Sequence, residues 1–323
     1  MSKESGIPTF LLKHQFRLLN PIKLLRASIE IYRFASREKF EVVHLTMPYS
    51  VIACFTLFFN RRIKKVWFQH GPVGGKLDFI ASFFPVHAII FNSSFTKDNH
   101  LSQTPCFTSK KEIIPLGVKI PSVNIALKNS APELILVGRI CEGKNQKEII
   151  SSFCRVMKNN PEWIKLGVRL KVIGSATIEK DKSYEKEIKD LINEGDCSSF
   201  VEIAGHHKDL EKIYSHSDIL IHLPKNPEAF GLVIIEAMSY GVSVITEKKG
   251  GIQDILATND LAYTITNHED IEVTLTRVIK EHLDPAFKDK IEKMRTKAYE
   301  RVSVNFSDRK MLEKIENLYL SLS

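Results

Sequence analysis

From residue 133 onward, short aliphatic and β-branched runs alternate with longer stretches whose apolar positions recur at helical spacing. The runs at 134–137, 170–173, 200–203, 219–223, 242–246 and 263–266 read as strands. Helical patterns separate them, among them 145–158 and 232–240, the latter rich in helix formers and stopping before Gly241. This alternation predicts an α/β domain built on a parallel, doubly wound sheet. The first third carries a shorter version, with strands expected at 42–45, 66–69, 88–91 and 112–114, after a helix over 21–39 that opens on Pro21. The most apolar run, 49–59, is too short to cross a bilayer and is read as a buried helix. Residues 115–130 hold Gly117 and Pro121 and no clear period, which suits a linker. The expected division is therefore 1–125, 126–305 and a last segment, 306–323. Its helix over 308–320 can be capped by Ser307 and is expected to pack back on the first domain.

Open α/β sheets bind ligands beyond the carboxyl ends of their strands, and the polar motifs fall there. Gly138-Arg139 follows the first strand of the second half, with Lys144 just beyond; Gly174-Ser175 follows the second, Gly205-His206-His207 the third, and residues 226–231 the fourth. The stretch 226–251 sets Glu228 in the loop ahead of a helix and Glu236 about one turn inside it. Phe230-Gly231 brings an unencumbered backbone to that helix's first turn, whose amides favour phosphate. The arrangement looks like a nucleotide-sugar site. Two glutamates eight residues apart also occur on solvated helices, so it is the flanks that favour the reading. His206 and His207 are adjacent and lack a third ligand, which argues against zinc. No Asp-x-Asp element is present to carry a metal–diphosphate, so no cofactor is expected and the site is read as metal-independent, with Lys, Arg and helix dipole in the metal's place.

At 323 residues and 43% hydrophobic, the chain suits two domains, each with its own core. Its five cysteines form an odd set without a Cys-x-x-Cys pair, which points to reduced packing residues in a cytoplasmic protein. No charged n-region followed by a long apolar core opens the chain. The formal net charge of +8 lies wholly in residues 1–65, which hold twelve Lys/Arg (Lys3, Lys13, Arg17, Lys23, Arg26, Arg33, Arg37, Lys39, Arg61, Arg62, Lys64, Lys65) against Glu4, Glu30, Glu38 and Glu41. Such a lobe suggests an anionic partner, membrane phospholipid, a diphosphate-linked lipid or nucleic acid, with an anionic membrane surface as one expectation; a solvated basic face is the plain alternative. Ile22, Leu25, Ile29 and Tyr32 form an apolar stripe on the first helix, which can face either a membrane or the core. No nucleic acid is expected: the aromatics Phe10, Phe16, Tyr32, Phe34 and Phe40 fall at core positions, and no recognition module is readable.

Together, the Val-Gly-Arg and Glu-Gly-Lys-Asn pieces of 137–145, Tyr214 and Asp218, the run from Glu228 through Glu236 to Gly241, and Gly250-Gly251 resemble glycosyltransferase family 4, the retaining GT-B transferases. His70-Gly71, Asn92-Ser93-Ser94 and residues 114–118 are similar to family positions more weakly. The resemblance implies two Rossmann-like domains facing a cleft, with the N-terminal one shortened, because members usually begin with a strand, a glycine-rich loop and about two more strands. It implies transfer of a hexosyl unit, with retention, from a UDP- or GDP-sugar to a glycan or lipid-linked glycan acceptor, in bacterial surface polysaccharide biosynthesis at the inner face of the plasma membrane. By resemblance, Arg139, Lys144 and the Gly231-Leu232-Val233 backbone bind diphosphate. Glu228 contacts the donor sugar and supports an oxocarbenium-like transition state, with Ala229 and Phe230 beside it. Glu236 holds the ribose, Gly205 and His206 meet base or sugar, and His70 lies near donor sugar and acceptor. A nonenzymatic carbohydrate-binding or scaffolding protein and a GT-B nucleotide-sugar epimerase are the competing readings.

Overall fold

The computed structural model describes residues 9–13, 20–71, 74–108, 110–122, 130–266 and 270–322. Lys3, Glu4, Phe16, Arg17 and residues 123–129 of the expected linker lie outside them. The chain divides into two compact units, Met1–Pro115 with Glu313–Ser323, and Leu116–Leu312. Each is α/β and built on a wholly parallel sheet.

The first unit carries β1 (Val42–Thr46), β2 (Lys64–Gln69), β3 (Ala88–Phe91) and β4 (Lys110–Ile113), side by side in that order. Its order does not reverse among the described residues. The core gathers Trp67, Ile89 and Phe91 from the strands with Val51, Leu57 and Ala81 from the connections. The helix Pro21–Arg37 starts where Asn20 accepts the Lys23 amide at 3.0 Å. It buries Ala27, Ser28 and Ala35 and packs Leu24, Ile31 and Tyr32 against the core. The anticipated stripe is thus split: Tyr32 turns inward, whereas Ile22 and Leu25 are exposed. Phe10 and Phe40 are also exposed rather than core, and both pack on Phe34, at centroid distances of 4.0 and 5.6 Å.

The run 49–59 is not one buried helix. A helix Met47–Ala53 gives way to a 3₁₀ segment, Phe55–Phe59, with Phe59 exposed. Thr56 explains the break. Its amide donates to Ser28 Oγ (3.0 Å) and its hydroxyl to the Ser28 carbonyl (2.7 Å), so a tertiary partner takes the amide that an α-helical turn would use. The last helix, Asp308–Leu320, begins where Ser307 Oγ accepts the Lys310 amide at 3.3 Å.

The second unit carries β5 (Glu133–Val137), β6 (Arg169–Ile173), β7 (Val201–Gly205), β8 (Ile219–His222), β9 (Ser243–Glu247) and β10 (Tyr263–Ile265). Their order, β10-β9-β8-β5-β6-β7, is the Rossmann order, with winding that reverses between β5 and β8. Both faces are covered. One core joins Leu134, Leu170 and Ile221 to Ile149, Phe153, Ile188 and Leu275, and the other joins Ile135, Leu220 and Val244 to Ile234, Ile235, Met238 and Val302. Each such aliphatic side chain, taken fully out of water, contributes about 1.5–3 kcal/mol before ordering costs.

Candidate functional site

The reversal between β5 and β8 opens a crevice at the carboxyl ends of those two strands, where this architecture binds ligands. After β5, Gly138 turns at φ 145° and the 3₁₀ turn Glu142–Lys144 leads into Asn145 at φ 62°, a left-handed conformation that asparagine tolerates. After β8, the amide of Lys225 donates to the Gly143 carbonyl (3.0 Å), and Lys225 Nζ reaches Glu142 Oε1 at 2.8 Å. These bonds hold the two loops together. In consequence Lys144 meets Glu228, its Nζ donating to Oε1. The other carboxylate oxygen, Oε2, lies 3.1 Å from Nε2 of His222, the last residue of β8 and only 5% exposed. That contact has ion-pair length, though the ring N–H is not aligned on the oxygen. Burial alone would raise the Glu228 pKa, but His222 and then Lys144 outweigh it and hold the carboxyl down to about 2. The carboxylate is therefore ionised throughout the neutral range.

The glycines of 250–251 are explained by this loop. Gly250 sits at φ 63°, and a Cβ there would lie 2.6 Å from the Glu228 carbonyl oxygen; one on Gly251 would overlap the Ala229 carbonyl. Only a bare backbone lets the Gly251 amide donate to Glu228 O at 2.8 Å. The next helix, Leu232–Ser239, starts at Gly231 in the left-handed region (φ 105°), and no side chain caps its first turn. The Leu232 and Val233 end thus presents backbone and helix dipole without a competing carboxylate or hydroxyl. Phe230, expected beside the sugar, is turned into the core against Phe306 at 5.9 Å, because an apolar ring at this step contributes more when buried; it offers a ligand only backbone. Ala229 is half-buried in the same loop.

Glu236, one turn into that helix, lines a separate hollow of about 260 Å³ with Leu232, Tyr214, Tyr240 and Lys119. Tyr214 donates its hydroxyl to Glu236 Oε2 at 2.9 Å, and the two tyrosine rings stack at 5.9 Å. Burial raises the Glu236 pKa, with the Tyr214 hydrogen bond opposing. Arg139 does not join Lys144. Its Nε lies 3.7 Å from Oδ2 of the buried Asp181, and it lines a larger hollow, about 920 Å³, with Lys180, Tyr184, Lys147 and Lys225. The reason is proximity of charge: a carboxylate withdrawn from water attracts the nearest guanidinium. Gly205, at φ 76°, and exposed His206 stand at the end of the edge strand β7.

In the first unit, His70 follows β2, half-buried and stacked on Phe68 at 3.9 Å. Its carbonyl accepts from Asn92 Nδ2 (2.8 Å), and Asn92 Oδ1 accepts from Thr96 in the turn that Ser93 caps. Burial lowers its pKa. Two neighbours were not singled out in the sequence: His44, whose Nδ1 pairs with the Tyr319 hydroxyl, and Tyr319 itself. In the second unit the missed residues are His222 and Asp181. The signal for His222 was available, since a histidine interrupts the otherwise aliphatic strand Ile-Leu-Ile-His-Leu at its carboxyl end.

Residues 122–301, more than half the chain, match the family described as "Glycosyl transferases group 1". The chain belongs to this family. Among similar proteins, a probable sucrose-phosphate synthase of Thermosipho melanesiensis is 25% identical over 232 residues, covering 69% of this chain and 50% of that protein. A Salmonella typhimurium lipopolysaccharide 1,2-N-acetylglucosaminetransferase is 29% identical over 149 residues, 44% of this chain and 36% of that one. The chain thus spans half or less of the length of these relatives. Among solved structures, Anabaena HepE in complex with UDP and glucose superposes with TM-score 0.81 at 18% identity, over 99% of this chain and 88% of that one. A Rickettsia africae glycosyltransferase superposes at 0.78, also at 18% identity, over 94% and 83%. At that identity the likeness shows the fold, and the fold is that of GT-B glycosyltransferases.

Proposed function

We propose that the chain moves a hexosyl unit, with retention, from a UDP- or GDP-sugar to a glycan or lipid-linked glycan acceptor, as a family 4 enzyme of bacterial surface polysaccharide synthesis. The observation that carries the reading is the meeting of Lys144 and Glu228 at the switch point, beside a helix start without a side-chain cap. Lys144 and the Leu232 and Val233 amides supply positive charge where a leaving diphosphate accumulates negative charge. Glu228, ionised and buried to 18% exposure, faces developing positive charge on the sugar without the screening of bulk water. Arg139 joins the diphosphate clamp by leaving Asp181, Glu236 takes the ribose hydroxyls, Gly205 and His206 contact the base, and His70, kept neutral by burial, serves the acceptor. The relatives' names support this, since they include a lipopolysaccharide 1,2-N-acetylglucosaminetransferase, and HepE holds UDP and glucose.

The test is a thermal-shift panel of nucleoside diphosphates and their sugars: the true donor raises the melting temperature in proportion to its binding, and a panel without any shift removes the reading. Transfer from that donor is expected to persist in EDTA, because the cationic charge comes from side chains. Loss in EDTA with recovery on adding manganese would replace that part of the mechanism. Glu236→Ala should raise KM for the donor with a smaller change in kcat, as expected when uniform binding is removed. Equal losses in both would instead mark Glu236 as a structural carboxylate.

We also propose that the first unit docks on an anionic membrane from the cytoplasmic side. No helix among the described residues is long and apolar enough to cross a membrane. Supporting the docking, Leu11, Ile22 and Leu25 are exposed beside Lys13, Lys23, Arg26, Arg33 and Arg37. Each basic side chain near the surface contributes about 1 kcal/mol, screened as salt shortens the Debye length. Sedimentation with anionic vesicles at low salt, but not with neutral vesicles or at high salt, is the expected result. Equal partitioning to both lipids would leave these charges as plain solvated surface.

A further inference from the structure

Resting on the nucleotide-sugar reading, we infer that Glu228 competes with the donor diphosphate for Lys144, and that His222 is the positioning residue that keeps Glu228 in place once Lys144 is drawn away. Four observations lead there. Lys144 Nζ is engaged on Glu228 Oε1, so a diphosphate recruiting that ammonium must break an existing ion pair. Only one of the two carboxylate oxygens is used by Lys144; the other lies 3.1 Å from His222 Nε2. His222 cannot follow a ligand, because it ends β8, is 5% exposed and is locked through its carbonyl, which accepts from Thr246 Oγ1 at 2.8 Å. Its Nε2 is buried and has no aligned hydrogen-bond partner among the described residues, a costly condition for a ring nitrogen unless a nearby acceptor can turn toward it.

The loops explain how one partner can leave and the other stay. Lys144 sits in a short 3₁₀ turn at the end of a flexible stem, and its side chain is 31% exposed. Glu228 is fastened by its backbone, since the Gly251 amide holds its carbonyl at 2.8 Å. As a diphosphate draws Lys144 off Oε1, the carboxylate rotates onto the His222 N–H, its other charged or polar partner among the described residues. The carboxylate thereby remains on the sugar side of the site with its charge intact. Pairing with Lys144 keeps a buried carboxylate compensated until the ligand brings its own anion for the lysine. The exchange conserves charge locally: one ion pair is traded for a lysine–phosphate pair and a histidine–carboxylate hydrogen bond.

The closing experiment measures binding of UDP, GDP and inorganic pyrophosphate by calorimetry, alongside transfer kinetics. Glu228→Gln should bind the diphosphate that wild type binds about three- to tenfold more tightly, because Lys144 is released in advance; this corresponds to ~1 kcal/mol, modest because the carboxylate keeps its contact with His222 in wild type. The gain should vanish in the Lys144→Met background, which separates competition for the lysine from simple removal of a negative charge. His222→Phe should leave diphosphate affinity within twofold of wild type and lower kcat at least tenfold, with His222→Asn recovering part of kcat through its amide donor. Unchanged affinity in Glu228→Gln, a gain that survives in the Lys144→Met background, or wild-type kcat in His222→Phe each overturns the inference while leaving the functional reading intact. If wild type binds none of the three probes, the functional reading fails and takes this inference with it.

Discussion

Glu228→Gln lowers kcat for glycosyl transfer by about 10²–10³-fold, the range seen when one preorganised electrostatic group is removed from a transition state. The amide keeps the size and hydrogen-bonding reach of the carboxylate and loses only its charge. In this site the charge is the part that matters: the carboxyl is held at about 2 by His222 and Lys144 against a burial penalty, so it enters every catalytic cycle ionised. A group that stabilises charge only as the sugar–phosphate bond lengthens acts through kcat, and its removal costs no ground-state binding. Diphosphate affinity that is not lost, and that rises about three- to tenfold because Lys144 is released, alongside lost turnover is therefore the diagnostic pair, and turnover within a few-fold of wild type would remove Glu228 from the mechanism. The pKa also has a sign in stability. Because the folded value lies below the ordinary carboxylate range, the interaction stabilises the fold fully above about pH 4.5 and is lost as pH falls toward 2. Acid titration of Glu228→Gln should be correspondingly flatter in that window than that of wild type.

Much of the frame was legible because buried parallel strands are nearly continuous aliphatic runs, and ten such runs appear in the sequence close to where ten strands form among the described residues. The loops bearing Glu228, Lys144 and Gly250-Gly251 were legible for a related reason: glycine at a fixed place and charge at a strand's carboxyl end are local signals. What the sequence could not display is which distant partner wins a side chain. Arg139 and Lys144 read as one clamp, yet Asp181, on the helix Glu179–Glu194, takes the arginine while Glu228 takes the lysine. Thr56 sits in an apolar run that looks helical, and Ser28 from the first helix diverts its amide. Phe230 adjoins a ligand-facing loop by position and belongs to the core by packing. In each case a tertiary contact overrode a local preference, and such contacts decide side-chain direction more than backbone course.

Asp218 shows the same division and yields the largest stability effect expected in this chain. It stands just before β8, at the end of the sheet opposite the candidate site, with side-chain exposure of 1%, and faces Arg295 at 0%. Arg295 Nη2 lies 3.5 Å from Asp218 Oδ1 and donates to the Asp218 carbonyl at 2.8 Å, while Nε donates to Ser243 Oγ at 2.9 Å, where β9 begins. The other Asp218 oxygen accepts the amide of Glu133, the first residue of β5, at 3.2 Å. One guanidinium from the helix Lys288–Asn305 therefore ties together, directly and through Asp218, the amino ends of three adjacent strands, β9, β8 and β5. Burial disfavours the charged guanidinium and Asp218 offsets it, so removing either partner strands the other without compensation. Arg295→Ala is expected to cost about 3–5 kcal/mol, a large share of the 5–15 kcal/mol that holds a typical domain together. Urea denaturation measures it, and Arg295→Ala with Asp218→Ala should lose much less than the sum of the single variants, because the second change removes the charge the first left buried. Diphosphate affinity per folded molecule should stay at the wild-type value, since the pair lies at the amino ends of strands whose carboxyl ends form the site. A loss below 1 kcal/mol, or additive single changes, would mean that packing rather than the buried pair holds this end of the sheet.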